Sequence, residues 1–292
     1  MANFLAKVVV ATGASSGLGF EAVKQLLNQQ QRYGFILGAR DVASTEAAYN
    51  SLKFDANSHT VDMLPSELSD LKAVRTFAHQ VLEFLGSGGK IDYLMLSAAR
   101  THLATAPGPN GSTWSGTYIV NHLSQHYLVH LLRDKLVSSS SRIVFVSSGV
   151  FQWVKDISTL ESDLKAGSDL QVYTHSKLVQ LLSAHWWRRQ LASKCTVVAV
   201  SPGFIPNTGL SAGAGLKFTM DMPGAKPVSE GMHSILRAFA RDDFPEDPDR
   251  IFLTDGGEWW GREELAVTLD KDLQDKWSPS REQIEQEEGI AR

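Results

Sequence analysis

Val8-Val9-Val10-Ala11-Thr12-Gly13-Ala14-Ser15-Ser16-Gly17-Leu18-Gly19 is the stretch on which the reading of this chain turns. Val8 to Ala11 has the length and β-branched character of a buried strand, and an amphipathic helical pattern over 17–31 follows it. Glycine at the junction permits a tight turn and lets the backbone approach a phosphate group. The helix start adds free N–H groups and the positive end of its dipole. An ordinary strand-to-helix turn would also want glycine. Position after the first strand is what makes Thr12, Gly13, Ser15, Ser16, Gly17, Leu18 and Gly19 candidate contacts to a dinucleotide. Their spacing is G-x3-G-x-G rather than G-x-G-x-x-G.

Outward from that turn, strand and helix patterns alternate. Phe35 to Leu37, Ile91 to Leu96, Ile143 to Val146 and Thr196 to Val200 read as further buried strands. His59 to Leu64 and Ile251 to Thr254 are shorter candidates. Helical patterns fall near 69–86, 114–136, 171–192, 229–240 and 262–276. Such alternation predicts an α/β fold: a doubly wound, Rossmann-like parallel sheet of about seven strands with helices on both faces. No repeat and no Pro-, Gly- or Ser-rich linker divides the chain, so residues 1–277 read as one domain. Residues 278–292 read as a polar tail, a solvated helix end or a frayed terminus.

Composition narrows the function classes. Of 292 residues 43% are hydrophobic and 21% charged, as in ordinary globular proteins. Lys and Arg number 28 against 32 Asp and Glu, and the net charge of −4 weighs against a nucleic-acid partner. Cys195, the single cysteine, forms no intramolecular disulfide and no thiolate metal cluster, and it reads as a small buried residue. The N-terminal apolar run is too short for a signal peptide, and no stretch is long enough to span a membrane. The expected compartment is the cytosol.

The second strand runs into Gly38-Ala39-Arg40-Asp41. An acidic residue at its tip would favour an unphosphorylated ribose, whereas the Arg40 guanidinium can pair with a 2′-phosphate. Asp41 more naturally caps the next helix. The preferred cofactor is therefore NADP(H). Further on, Tyr173-Thr174-His175-Ser176-Lys177 opens a helical pattern, and positions i and i+4 share a helix face. An ammonium beside a phenol favours the phenolate, and a drop of about three pH units corresponds to roughly 4 kcal/mol. Ser147 and Ser148 at a strand end and Asn121 on the preceding helix converge on the same side of such a sheet.

With these residues in place, the sequence resembles the short-chain dehydrogenase/reductase family over most of its length, and within it the retinol dehydrogenase, WW-domain oxidoreductase and protochlorophyllide reductase group. The resemblance rests on Thr12 to Gly19, Ser97-Ala98-Ala99 after the fourth strand, Val120-Asn121-His122-Leu123, Ser148, Tyr173 to Leu178, and Pro202-Gly203. It implies that Tyr173 is the general acid or base and that Lys177 lowers its pKa and binds the nicotinamide ribose. Ser148 would polarise the substrate carbonyl, and Asn121 would hold a water on a proton path. Glu67 and Leu68 would lie near the adenine, Ser97 and Ala98 beside the cofactor, and Pro202, Gly203, Ile205 and Thr208 on the nicotinamide side. One departure stands out: Ser97-Ala98-Ala99 replaces the family's Asn-Ala-Gly, altering the support after that strand.

The implied activity is hydride transfer between NADP(H) and a carbonyl or secondary alcohol. Phe151, Trp153 and Val154, with a glycine-hinged loop over 204–228 carrying Phe204, Leu210, Leu216, Phe218, Met220 and Met222, read as a substrate lid. The substrate would then be apolar: lipid-like, terpenoid, polyketide or aromatic. A cofactor-binding sensor or scaffold of the same fold is the reading from another class, and the intact Asn121, Ser148, Tyr173 and Lys177 weigh against it. The Tyr-Lys pair and the glycine spacing also disfavour a Rossmann-like methyltransferase. His122, His126 and His130 recur at intervals of four, but they read as a packed or interfacial face and no metal site is expected. The helices of Asn121 and Tyr173 often form dimer faces in the family, which makes a homodimer compatible with the sequence.

Overall fold

The computed structural model describes residues 6–102, 108–206, 208–212 and 218–290. Seven parallel strands form one sheet in the order β3-β2-β1-β4-β5-β6-β7. They are β1 (Lys7–Thr12), β2 (Tyr33–Ala39), β3 (Thr60–Pro65), β4 (Tyr93–Leu96), β5 (Arg142–Val146), β6 (Thr196–Val200) and β7 (Phe252–Leu253). The order reverses between β1 and β4, and a crevice opens there beyond the strands' C-terminal ends.

Side chains alternate across the sheet, so each central strand feeds two cores. Val10, Leu94, Leu96, Ile143, Phe145 and Val197 face one side. There they meet α3 (Leu71–Leu85), α5 (Ser124–Ser139) and α7 (Asp169–Gln190). Val9, Ala11, Met95, Val144, Val198 and Val200 face the other. That side is covered by α1 (Gly17–Leu26), α2 (Val42–Asn50) and α10 (His233–Ala240). Local signals set the helix ends. Asp41 caps α2 by accepting from the Ser44 N–H at 2.9 Å, as its position suggested. In α7, Ser168 and Gln171 form a reciprocal capping box.

Four helical expectations shift. α1 ends at Leu26, short of residue 31, where the run Asn28 to Gln31 offers nothing apolar to hold another turn. The 114–136 pattern becomes a short α4 (Gly116–Tyr118), a π turn over Ile119–Leu123 and then α5. The 229–240 helix is broken at Met232 into α9 (Val228–Gly231) and α10. Of 262–276, only a 3-10 turn at Ala266–Leu269 and α11 (Lys271–Lys276) are helical.

The tail also differs from the expected solvated or frayed end. It forms α12 (Arg281–Glu287), in which Ile284 is 1% exposed, and Ile290 beyond it is also buried. Tyr127 on α5 donates to Glu285 at 2.8 Å, and Ser112 donates to Glu288 at 3.0 Å. Two isoleucines in a charged segment are enough to dock it, although its average polarity hides them. No helix among the described residues is long and apolar enough to cross a membrane.

Candidate active site

The glycine run is a backbone cradle. Gly13 adopts φ +69°, and a Cβ there would lie 2.4 Å from the Ala98 nitrogen and 2.5 Å from its Cα. A Cβ on Gly19 would fall 2.3 Å from the Gly13 carbonyl oxygen. Close approach of the turn to the end of β4, and of α1 to the turn, therefore requires those two glycines. Gly17, at φ +56°, opens α1 with nothing nearer than Thr208 at 4.0 Å. Ser15, Ser16, Gly17, Leu18 and Gly19 border the crevice together with Gly13. Ser16, the N-cap, spends no side-chain hydrogen bond on the helix, and the first turn carries no acidic residue. Thr12 lies behind the crevice, its buried hydroxyl without a partner.

Ser97 and Ala98 border the crevice, as do Ala99 and Val120. Support after β4 comes from two amides on the Ile119–Ser139 helix. Asn121 accepts from the Arg100 N–H at 2.7 Å and donates to the Arg100 carbonyl at 2.9 Å and to Ser176 Oγ at 3.0 Å. Gln125 donates to the Ala98 carbonyl at 2.8 Å. Both Asn121 amide hydrogens are thereby committed to protein, so this buried residue braces the segment and does not border the crevice. Gln125 was not legible from motif spacing; its only signal is a polar residue on a helix that packs inward.

Tyr173 and Lys177 from α7, Ser147 after β5 and Pro202 after β6 line the inner end, and Ser148 follows Ser147 in the chain without bordering the crevice. The Ser148 hydroxyl acts on the Tyr173 phenol in the direction that favours its ionised form. Ser147 borders the crevice too, but its hydroxyl is spent on the Lys177 carbonyl at 3.2 Å. Lys177 Nζ donates to the Val146 carbonyl at 2.9 Å and to Gln180 Oε1 at 3.1 Å, and lies 5.9 Å from the Tyr173 ring centroid. Burial dominates both titrations. It pushes the Tyr173 phenol up to about 12, only partly opposed by Ser148, and draws the Lys177 ammonium down to about 7. Desolvation sets the direction of the phenol's shift, and Lys177 is not among its causes.

At the outer end Arg40, exposed at the tip of β2, borders the crevice with Glu67 and Leu68. Glu67 Oε1 accepts from the Ser69 N–H at 2.8 Å and hydroxyl at 2.7 Å. Gly38, Ser66, Arg100 and His102 also border it, and sequence reasoning did not single them out. Arg100 carried no signal because it follows a motif recognised by its small residues. Thr208 and Leu210 close the near lip, where the Thr101 hydroxyl donates to the Leu210 carbonyl. Gly203 and Ile205 stand back from the crevice. A Cβ on Gly203 (φ +82°) would meet Asp255 Oδ2 at 2.8 Å, and Ile205 packs over Gly231.

The lid reading divides. Phe151 is 1% exposed and belongs to the core, 5.8 Å from Phe252 and 5.5 Å from Trp260, ring to ring. Trp153 is instead 61% exposed, in a separate cavity that it shares with Val154, Leu170 and His175. Phe204 packs against Phe218 at 5.1 Å, while Met220 and Met222 are exposed. Leu216, Gly213 and Gly215 lie outside the described residues.

The histidine row is internal packing. Trp187 donates to His126 Nδ1 at 2.9 Å, so Nε2 carries the proton and donates to the Pro279 carbonyl at 2.9 Å. His122 Nε2 lies 3.0 Å from the Trp277 carbonyl. Among the described residues no cluster of His, Cys, Asp or Glu could hold a metal ion. These contacts lay the C-terminal segment along α5 and α7, so a dimer through those faces would have to accommodate or displace it.

The crevice suits NADP(H). The glycine cradle, in which a Cβ on Gly13 or Gly19 would meet backbone, lines it together with Arg40, Arg100, Tyr173 and Lys177.

Comparison with known proteins places the chain. The family model for short chain dehydrogenases matches residues 7–216. A short-chain dehydrogenase/reductase of Pestalotiopsis microspora is 53% identical over 291 residues, covering 98% of this chain and 100% of that protein. Human retinol dehydrogenase 12 is 31% identical, covering 68% of this chain and 61% of its own length. Human WW domain-containing oxidoreductase is 28% identical, covering 78% and 57%. The chain therefore spans about three-fifths of the length of these two human relatives. Among solved structures, NADPH-bound carbonyl reductase from chicken fatty liver superposes with a TM-score of 0.66 at 19% identity, covering 88% of this chain and 99% of that one. Salutaridine reductase of Papaver somniferum superposes at 0.62 and 19% identity, covering 85% and 99%. The seven-stranded sheet, the glycine cradle and the family match over most of the chain make this protein a member of the short-chain dehydrogenase family.

Proposed function

We propose that this protein is an NADP(H)-dependent oxidoreductase acting on a carbonyl or secondary alcohol of an apolar substrate, with Tyr173 as its proton donor and acceptor. The carrying observation is that Tyr173 and Lys177 line the same crevice as the Gly13–Gly19 cradle, with the Ser148 hydroxyl acting on the phenol. The NADPH-bound carbonyl reductase with the same fold supports the cofactor assignment, as does Arg40 at the outer end. Pro202 and Val146, which line the crevice, and Leu210 at its lip support an apolar substrate.

When bound, the nicotinamide supplies or accepts the hydride; the chain's own residues handle the proton and the developing charge. With its phenol held near 12, Tyr173 is protonated at neutral pH and stands ready to donate to a carbonyl oxygen. Ser148, fixed at the end of β5, offers a second hydroxyl to the same oxygen as charge grows on it. Lys177, near 7, titrates within the working range and brings positive charge beside the tyrosine when protonated. Alcohol oxidation needs the reverse transfer to Tyr173, and the raised phenol opposes it at low pH.

The test is a panel of hydrophobic ketones, aldehydes and alcohols followed by NADPH absorbance. Tyr173→Phe should lower turnover by about 10²- to 10⁴-fold while NADPH binding, read by fluorescence, is retained. Wild-type turnover in that variant would remove the acid–base role.

A further inference from the structure

We infer that Arg100 is a second ligand for the cofactor's ribose phosphate, forming with Arg40 a two-guanidinium clamp that sets the preference for a 2′-phosphorylated dinucleotide. The inference rests on the NADP(H) reading above and assigns a residue that lies outside the glycine and Tyr-Lys motifs.

The two arginines reach one crevice from different strands. Arg40 directly follows β2 and Arg100 lies beyond β4, with β1 between those strands in the sheet. Arg100 is presented from a fixed base, since Asn121 holds both its N–H (2.7 Å) and its carbonyl (2.9 Å). Its guanidinium is half-buried. Nη2 donates to His102 Nε2 at 2.9 Å, and Nε, shielded from solvent, has no hydrogen-bond partner. Because arginine can only donate, His102 accepts through Nε2 and is neutral. Burial, Arg100 and Arg40 all hold the imidazole pKa down, in keeping with that state.

Charge at this end is unbalanced. Arg100 and Arg40 lie near enough to repel, and with burial this draws the Arg100 guanidinium below its ordinary range. Neither forms an ion pair among the described residues. Glu67 is the carboxylate that acts on Arg100, and one of its oxygens is already spent on Ser69. Two guanidiniums that line one crevice, neither ion-paired among the described residues, suit a phosphate dianion, which can accept from both and offset their repulsion.

Calorimetric titration of the full chain with NADPH, NADH and 2′,5′-ADP tests the assignment. Arg100→Met should weaken NADPH and 2′,5′-ADP by about tenfold to a hundredfold and leave NADH within about twofold. Arg100→Lys, keeping the charge but not the fork, should fall between. Combining Arg100→Met with Arg40→Met should bring NADPH and NADH affinities together. The side chain's one hydrogen bond goes to His102, so matching thermal unfolding of the variant and wild type verifies the fold. Equal weakening of NADPH and NADH would make Arg100 an adenine or backbone contact and overturn the clamp. Unchanged NADPH affinity would overturn it too, while leaving the NADP(H) reading intact. A wild-type protein that binds neither dinucleotide would sink the parent reading as well.

Discussion

Alanine substitution at the cradle glycines separates what the fold requires from what a ligand requires. In Gly13→Ala the new methyl would stand 2.4, 2.5 and 2.7 Å from the Ala98 nitrogen, the Ala98 Cα and the Ser97 carbonyl carbon. All three are backbone atoms at the end of β4, so no rotamer relieves the overlap. The turn and the strand end must part by about 1 Å to reach ordinary contact. Such overpacking costs about 1–3 kcal/mol, and the positive φ of Gly13 adds about 1–2 kcal/mol for any residue with a Cβ. The expected loss is therefore about 2–5 kcal/mol, or roughly 4–10 °C in Tm for a chain of this size. Gly17→Ala meets nothing within 4 Å except Thr208 at 4.0 Å, so it carries only the backbone term, roughly 2–4 °C. Its methyl would nonetheless intrude on the crevice that Gly17 borders, and NADPH affinity should fall more than stability does. Urea and thermal unfolding, with NADPH fluorescence titration, give both quantities. If Gly13→Ala proves no less stable than Gly17→Ala, the turn does not press on β4 and the account of the cradle is wrong.

Three further outcomes can be measured. Burial holds His122 near 3 and His130 near 4, below the roughly 6.5 of an unfolded histidine, so unfolding takes up protons as pH falls. The stability of the neutral, buried state is complete above pH 6.5 or so and declines below it. By pH 5 the loss is about 2 kcal/mol per histidine, and a urea midpoint unchanged between pH 7 and 5 would contradict the burial. Ile284→Ala removes a side chain that is 1% exposed and should cost about 2–5 kcal/mol in one cooperative transition; a wild-type urea midpoint would mean that α12 contributes nothing to it. With the phenol near 12, kcat/KM for alcohol oxidation should rise with pH while carbonyl reduction does not; oxidation that is flat from pH 5 to 9 would contradict the desolvated tyrosine.

Much of the fold was legible because β1, β2, β4, β5 and β6 are largely apolar runs, and their alternation with helical patterns permits few topologies. Asp41 as a helix cap was legible for a similar reason, since capping is settled within three residues. Phe151 shows the limit. In sequence it stands beside Trp153 as one more aromatic after Ser148, yet one is core and the other exposed. Phe252 and Trp260, a hundred residues further along, make that difference. The C-terminal tail failed on composition in the same way, because the docking of Ile284 depends on an acceptor surface formed by α5.

By itself the sequence determined the glycine-rich strand–turn–helix, the shared helix face of Tyr173 and Lys177, and the arginine at the tip of β2. Each is a matter of chain geometry over a few residues. Only the tertiary structure decided what surrounds them. Desolvation of Tyr173 and Lys177, the bracing of Arg100 by Asn121 and of Ala98 by Gln125, and the lining of one crevice by Arg100 and Arg40 all join segments far apart in the chain. Local propensity fixes where a side chain leaves the backbone. Its charge state and partners follow from burial and Coulomb interactions, which depend on distance in space and not along the chain.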